Sequence, residues 1–326
     1  MDIHKINHVG IAGAGAWGTA LAQLAVAAKC KVTLWAHREA LVSEINEQHV
    51  NSRFLPGRSL SEGVVATSDP GALAAADAIL LVCPAQRLRQ TLRLMPVRVP
   101  VAICAKGIEK GSGLLMHEVC MQEVPGGKFG MLSGPSFADD VVRGLPCAVT
   151  IAFEDQVIAS LLGEALGSGT FRPYASGDVV GVAVGGAVKN VLAIACGIVD
   201  GRGLGESARA AIMTRGFAEM ARFGLALGAK LETLSGLSGF GDLVLTASSR
   251  QSRNFSLGIA LGQGGSVHRA GPLAEGAATA PALVRRAQEL GIQMPIAEAV
   301  ADIVEGRIDV DAAIRALLSR PLKSEH

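Results

Sequence analysis

The chain has 326 residues, of which 49% are hydrophobic, 18% charged and 4% aromatic, with a formal net charge of +1. One hydrophobic core stops growing at roughly 250–300 residues, so this length predicts two domains, with an interior built from Ala, Val, Leu and Ile rather than aromatic anchors. The near-neutral balance and the lack of any basic tract exclude broad electrostatic capture of nucleic acid or an anionic membrane, so any bound anion must be held by local groups.

Met1 to His8 is polar and has no charged-then-apolar signal layout, so export is not expected. Six apolar runs follow, interleaved with helix-like segments: Ile6–Ala12, Lys31–Trp35, Ala78–Cys83, Val101–Ala105, Lys128–Leu132 and Ala148–Phe153. Such β-α alternation predicts an α/β, Rossmann-type, mostly parallel doubly wound sheet over residues 1–176, the dinucleotide-binding domain. Beyond Ser176 the pattern changes to long Ala-rich stretches, which predicts a C-terminal all-helical domain over 177–326 that carries substrate and catalytic groups. Val179 to Val199 is long enough to span a bilayer, but Lys189 and Asn190 interrupt its centre, where charge is costly in lipid, so it reads as a buried helix of a soluble domain. In Ser207–Gly228, Met213, Phe217, Met220 and Gly224 recur at helical spacing and share one face. Ala277–Leu290 is a further helix. Cys30, Cys83, Cys104, Cys120, Cys147 and Cys196 form no CxxC pair or zinc spacing; they suit reduced cytoplasmic thiols, and no metal is expected.

Gly13-Ala14-Gly15-Ala16-Trp17-Gly18 stands directly after the first strand and before a helix-forming run. In that context Gly13 permits the tight turn, Gly15 lets the backbone approach a pyrophosphate, and Gly18 allows helix to pack on strand. The second strand ends Trp35-Ala36-His37-Arg38 without the acid that would favour NAD. Arg38, with His37, could pair with the additional phosphate of NADP, while the nearby Glu39 keeps NAD open.

Ligands of open parallel sheets lie beyond the carboxyl ends of the strands, which draws attention to Lys106-Gly107 and to Ser133-Gly134-Pro135-Ser136-Phe137-Ala138. Lys106 could polarise a carbonyl, and Gly134 and Ser136 could supply donors; each alone reads equally as a solvated lysine or an ordinary turn. Lys189 lies in the middle of an apolar helix, where an ammonium is costly unless partnered and its pKa falls towards neutrality. It suits proton exchange, or else a structural ion pair, with Asp242 after the glycine-rich turn Gly236–Gly241 as the partner. Ser249-Arg250-Gln251-Ser252-Arg253-Asn254 begins a further helix and concentrates donors and two guanidinium groups at its start, a seat for a phosphate or simply a solvated helix start. Glu275 precedes the next helix, as an N-terminal charge would.

Together these residues resemble the bacterial NAD(P)-dependent glycerol-3-phosphate dehydrogenases over nearly the whole chain. The resemblance is carried by residues 13–22, Phe54-Leu55-Pro56-Gly57, Lys106-Gly107, residues 133–138, Gly185-Gly186-Ala187-Val188-Lys189-Asn190, Gly241-Asp242-Leu243 and Ser252-Arg253-Asn254. It implies that Lys189 exchanges the proton at the substrate oxygen, aided by Lys106 and Asp242. It implies that glycerol 3-phosphate is contacted by Lys106, Gly134, Ser136, Lys189, Asp242, Ser252, Arg253 and Asn254. For the dinucleotide it implies Ala16, Trp17, His37, Lys106, Ala138, Arg253, Leu273 and Glu275, beside the glycines and Arg38. It further implies a nicotinamide cofactor, NADPH ahead of NADH on the reading of Arg38, with dihydroxyacetone phosphate as substrate, a cytoplasmic homodimer and a supply of glycerophospholipid precursor. Ala16 stands where the family commonly has serine, Ala183 where a glutamate often precedes Gly-Gly, and Asp139-Asp140 where Lys-Glu is frequent. Rival readings are a 3-hydroxyacid or 6-phosphogluconate-type dehydrogenase, against which the Gly-Asp and Ser-Arg-Asn segments argue, and a non-catalytic dinucleotide sensor, which leaves both lysines without a purpose.

Overall fold

The computed structural model describes residues 5–266 and 274–319. Eight strands form one sheet: β1 (His8–Ala12), β2 (Lys31–Trp35), β3 (Val64–Thr67), β4 (Ala78–Leu81), β5 (Val101–Ile103), β6 (Phe129–Ser133), β7 (Cys147–Phe153) and β8 (Phe171–Ser176). Their spatial order is β3-β2-β1-β4-β5-β6-β7-β8, parallel throughout except for the antiparallel pair β6 and β7. The order reverses between β1 and β4, the switch point at which open sheets bind ligands.

Six of these strands are the predicted runs to within two residues at either end: Ile6, Cys83, Cys104 and Ala105 lie outside the ladder, while Ser133 and Cys147 join it. The two additional strands, β3 and β8, are the edges. β3 alternates buried and exposed residues, with Val65 54% exposed, and β8 contains Pro173 and only one fully buried residue. An edge strand faces water on one side and tolerates proline, so it has no continuous apolar run to betray it.

Successive residues of a strand point to opposite faces, and both faces here are covered. Leu80 and Ala102 belong to one buried cluster with α1 (Ala16–Ala27) and α6 (Gln156–Leu166), whereas Ile79, Leu81, Val101 and Ile103 belong to a second. The second cluster also takes in α3 (Leu88–Leu94), α4 (Met116–Glu123) and the core of the helical half, so the two halves share one apolar interior. The short helices α2 (Glu39–Gln48) and α5 (Ala138–Val142) complete the sheet's connections. All six cysteines are free.

Beyond β8 the described residues are helical: α7 (Val179–Gly201), α8 (Glu206–Ala226), α9 (Leu231–Ser235), α10 (Asp242–Thr246), α11 (Arg253–Gly262), α12 (Glu275–Glu289), α13 (Pro295–Val304) and α14 (Val310–Leu318). A π-helical turn, Leu237–Gly241, leads directly into α10. α7 starts cleanly because the Asp178 carboxylate accepts from Gly181 N at 2.8 Å and from Lys230 N at 2.8 Å, satisfying a donor of the open helix end. It is long and apolar enough to cross a membrane, yet its most apolar stretch is wholly buried within the protein.

α11 lies against α7 at backbone contact. A Cβ on Gly197 would stand 2.1 Å from Phe255 O, one on Gly201 2.3 Å from Ile259 O, one on Gly258 2.2 Å from Ile194 O and one on Gly262 2.6 Å from Ile198 O. Two glycines four residues apart on each helix therefore interlock, and this crossing sets where the start of α11 falls relative to Lys189.

Candidate active site

Lys189 sits in the buried middle of α7, 7% exposed, and its Nζ donates to Asp242 Oδ1 at 2.8 Å and to Thr246 Oγ1 at 2.7 Å. Lys106, three residues past the end of β5, approaches the same carboxylate from the sheet side and donates to Asp242 Oδ2 at 2.6 Å. Asp242 is the first residue of α10, so the π-helical turn delivers its carboxylate between the two ammonium groups. Thr246, one turn further on, also donates to Asp242 Oδ1 at 3.2 Å. Gly186 makes room for the arrangement: a Cβ there would crowd Lys106 Cγ at 3.2 Å and Ser133 Oγ at 3.3 Å.

Charge and burial oppose one another in this cluster. Burial lowers the Lys189 ammonium, and although Asp242 pulls it back up, it is held at about 8. For Asp242, burial pushes the carboxyl up, but Lys106 and Lys189 outweigh it and hold it below the ordinary value. The result is an ionised carboxylate beside a lysine able to give or take a proton near neutral pH, the property required of a general acid and base.

Glu275, the first residue of α12, is half-buried, and its Oε1 accepts from Ala85 N at 3.1 Å. Burial raises its carboxyl, opposed by that N–H and then by Arg253, Lys106 and Lys189, so the Glu275 carboxyl feels all three of these cations.

At the switch point, the Gly13–Gly18 turn has the properties a pyrophosphate site requires. Gly13 has φ of 124°, and a Cβ there would strike Val82 O at 2.1 Å, while one on Gly18 would strike Gly13 O at 1.8 Å. A Cβ on Gly15 would meet nothing within 4 Å, and Gly15 caps α1 without a side-chain hydrogen bond, leaving the first N–H groups of the helix as donors. The residues present therefore fit a dinucleotide. Ala16 and Trp17 follow, half-buried, in the first turn of α1. His37 and Arg38 are exposed beyond β2, with Arg38 at the start of α2.

The family models described as NAD-dependent glycerol-3-phosphate dehydrogenase N-terminus and C-terminus match residues 8–159 and 178–315 respectively. The chain belongs to this family. It is 53% identical over 325 residues to the glycerol-3-phosphate dehydrogenase [NAD(P)+] of Parvibaculum lavamentivorans, covering 97% of this chain and 98% of the relative. To that of Rhodospirillum rubrum it is 54% identical over 329 residues, covering 98% and 94%. Among solved structures, the glycerol-3-phosphate dehydrogenase of Coxiella burnetii superposes with a TM-score of 0.91 at 38% identity, covering 97% of this chain and 99% of that one. The two rival dehydrogenase types and the sensor give way to this membership.

The structure brings Lys189 and Lys106 onto the Asp242 carboxylate, and Gly134 and Ser136 follow the end of β6 on either side of Pro135, whose Cγ would lie 3.8 Å from a Cβ on Gly241. Gly134 has φ of 155° and a Cβ there would lie 2.7 Å from Val149 Cα; Ser136 Oγ donates to Gly134 O at 3.1 Å. Ala138 opens α5. α11 begins at Arg253, not at Ser249; Ser252 is its cap, with Oγ accepting from Phe255 N at 3.2 Å, and Arg253 is exposed. Asn254 is differently engaged from the expectation. Its Nδ2 donates to Asn190 Oδ1 at 2.9 Å and its Oδ1 accepts from Gly276 N at 2.9 Å, so its carboxamide ties α7, α11 and α12 together. Leu273 lies outside the described residues. Sequence reasoning missed Thr246, whose spacing of four from Asp242 on a helix was the available signal. Of the departures from the family pattern, Ala183 is buried among apolar neighbours and Asp139 pairs with Arg58 at 2.7 Å.

Proposed function

We propose that this protein catalyses the reversible NAD(P)H-dependent reduction of dihydroxyacetone phosphate to sn-glycerol 3-phosphate, feeding glycerophospholipid synthesis. The observation that carries the reading is the Asp242 carboxylate shared by Lys189 and Lys106 at the sheet's carboxyl edge, in a chain of this family. A bound nicotinamide nucleotide supplies the hydride. The protein's part is to orient and protonate. Lys189 gives a proton to the oxygen at C2 as that carbon is reduced, and takes it back in the reverse direction. Lys106 faces the developing negative charge, and Asp242, with Thr246, fixes both ammonium groups in the cleft.

For the nucleotide, the Gly13–Gly18 turn and the start of α1 take the pyrophosphate, with Ala16, Trp17, Ala138, Lys106, Arg253 and Glu275 along its length. Arg38 and His37 take the adenosine end and favour NADPH over NADH. The substrate phosphate is held by Arg253 and the backbone N–H groups at the start of α11 capped by Ser252, because the Asn254 carboxamide is already engaged. Gly134 and Ser136 close the other side. Phosphate binding remote from the reacting carbon contributes orientation. Residues 1–176 act as the dinucleotide domain and 177–326 as the substrate domain, in a cytoplasmic homodimer whose long α7 stays inside the protein rather than entering a membrane.

The test is oxidation of NADPH, and separately of NADH, by purified protein with dihydroxyacetone phosphate, alongside dihydroxyacetone. Rapid oxidation that requires the phosphate is expected, faster with NADPH; oxidation indifferent to the phosphate would remove the assignment of α11.

A further inference from the structure

Asn51 is fully buried although its side chain is entirely polar. Its Nδ2 donates to Ala14 O at 3.1 Å and to Thr19 Oγ1 at 2.8 Å, and its Oδ1 accepts from Phe54 N at 3.2 Å. The two acceptors lie on either side of Gly15, one inside the glycine turn and the other in the first turn of α1. A peptide unit is planar and trans, so the direction of its carbonyl fixes the opposite direction of its N–H. The Ala14 carbonyl belongs to the same peptide as the Gly15 N–H. Holding that carbonyl therefore aims the N–H of the one glycine in the turn whose surroundings are open.

Asn51 opens a loop that is itself anchored. Its carbonyl accepts from Leu55 N at 2.8 Å, and Val50 bridges Ser59 across the base. At the far end, Arg58 Nε and Nη2 both lie 2.7 Å from Asp139 Oδ1, in the first turn of α5 beside Ala138. The loop thus spans from the glycine turn to the segment after β6.

We infer that Asn51 is a positioning residue for the dinucleotide turn, and that the Arg58–Asp139 pair holds the 51–59 loop where Asn51 can act. This rests on the reading that the turn binds NAD(P)H. Asn51 touches no ligand itself; it orients the donors that do.

The test titrates NADPH into purified full-length variants and follows nicotinamide fluorescence. Asn51→Ala is expected to weaken binding about tenfold, the scale of a lost buried hydrogen bond, with KM for NADPH rising more than KM for dihydroxyacetone phosphate. Asn51→Asp keeps the size and the acceptor for Phe54 N but turns a carboxylate towards the Ala14 carbonyl, so it is expected to lose at least as much. Binding by Asn51→Asp equal to that of the unmutated protein would overturn the inference, since mere space-filling would survive that change. Where the buried variants do not fold, the half-exposed pair decides: Arg58→Ala is expected to weaken NADPH about two- to threefold, as loss of a surface ion pair does, and Arg58→Asp combined with Asp139→Arg to restore it. An unchanged Kd in Arg58→Ala would overturn the role of the loop. If the unmutated protein binds no NADPH, the dinucleotide reading falls with it, whereas normal binding with insensitive variants removes only the role of Asn51.

Discussion

The glycine turn at residues 13–18 and the crossing of α7 on α11 use one residue type to opposite ends. At the crossing, Gly197, Gly201, Gly258 and Gly262 would each drive a Cβ to within 2.1–2.6 Å of a backbone oxygen. At the turn, Gly13 and Gly18 are as tightly placed, yet Gly15 between them faces open space. A set of glycines in which every position meets backbone is a structural joint, and one with an open position beside orphan helix donors is a surface that can receive a ligand.

The strongest way to break this distinction is to add a side chain at each place. Gly258→Leu must push α11 off α7, displacing both the Asn190–Asn254 bond and the seat at Arg253. A loss above about 4 kcal/mol is expected, seen as little folded protein or a steep fall in Tm. Gly15→Ala should leave Tm within a degree or two of the parent while weakening NADPH binding. A Gly258→Leu protein that melts normally would show that the helices part without cost and would dissolve the contrast.

How far the two halves were legible in the sequence follows the same line. Ile79, Leu81, Val101 and Ile103 sit in strands buried on both faces, so their apolar runs announced themselves, while the edge strands β3 and β8 did not. The turn was legible because a strand precedes it and a helix follows. Lys189 was legible because an ammonium amid apolar residues demands a partner, and Asp242 because it ends a glycine-rich turn. Asn51 and Thr246 were harder to read, since a carboxamide and a hydroxyl are commonplace and the partners that give them their place, Ala14 and Thr19 for the one and Lys189 for the other, lie 32–57 residues away in the chain. The donor-rich Ser-Arg-Asn segment points to the phosphate as a unit, but adjacent helix residues point in different directions, and Asn254 turns inward. The helix crossing was invisible because its glycines belong to two segments that only the folded chain brings together.

The next largest effect sharpens the contrast between a group that holds the fold and one that performs chemistry. Lys189→Met should lower turnover about 10²–10⁴-fold, the usual contribution of a positioned acid or base, while Tm falls only modestly, because the buried Asp242 carboxylate loses one partner but keeps Lys106 and Thr246. With Lys189 held at about 8, its ammonium is available below that pH and lost above it. Reduction of dihydroxyacetone phosphate at saturating substrates should therefore decline as pH rises through about 8, and oxidation of glycerol 3-phosphate should increase through the same range. Reduction that kept its full rate well into alkaline pH would point to a different proton donor.

The smallest effect concerns a joint in the helical half that also titrates. Glu219 of α8 is 2% exposed and accepts from Ile296 N at 2.8 Å and Ala297 N at 3.2 Å, at the start of α13. Burial raises its carboxyl to about 7 despite those two N–H groups and Arg222, with Glu298 adding to the rise. A carboxyl raised in the folded state favours folding while it is protonated, so this contribution is present below the ordinary value of 4.5 and is lost as pH climbs through about 7. Glu219→Gln keeps an acceptor for the helix start and removes the charge. It should raise stability on the order of 1–3 kcal/mol at pH 8, a few degrees in Tm, with the gain shrinking towards nothing at pH 5. An equal difference at both pH values would mean that the carboxylate stays charged in the folded protein, and that the start of α13 together with Arg222 outweighs its burial.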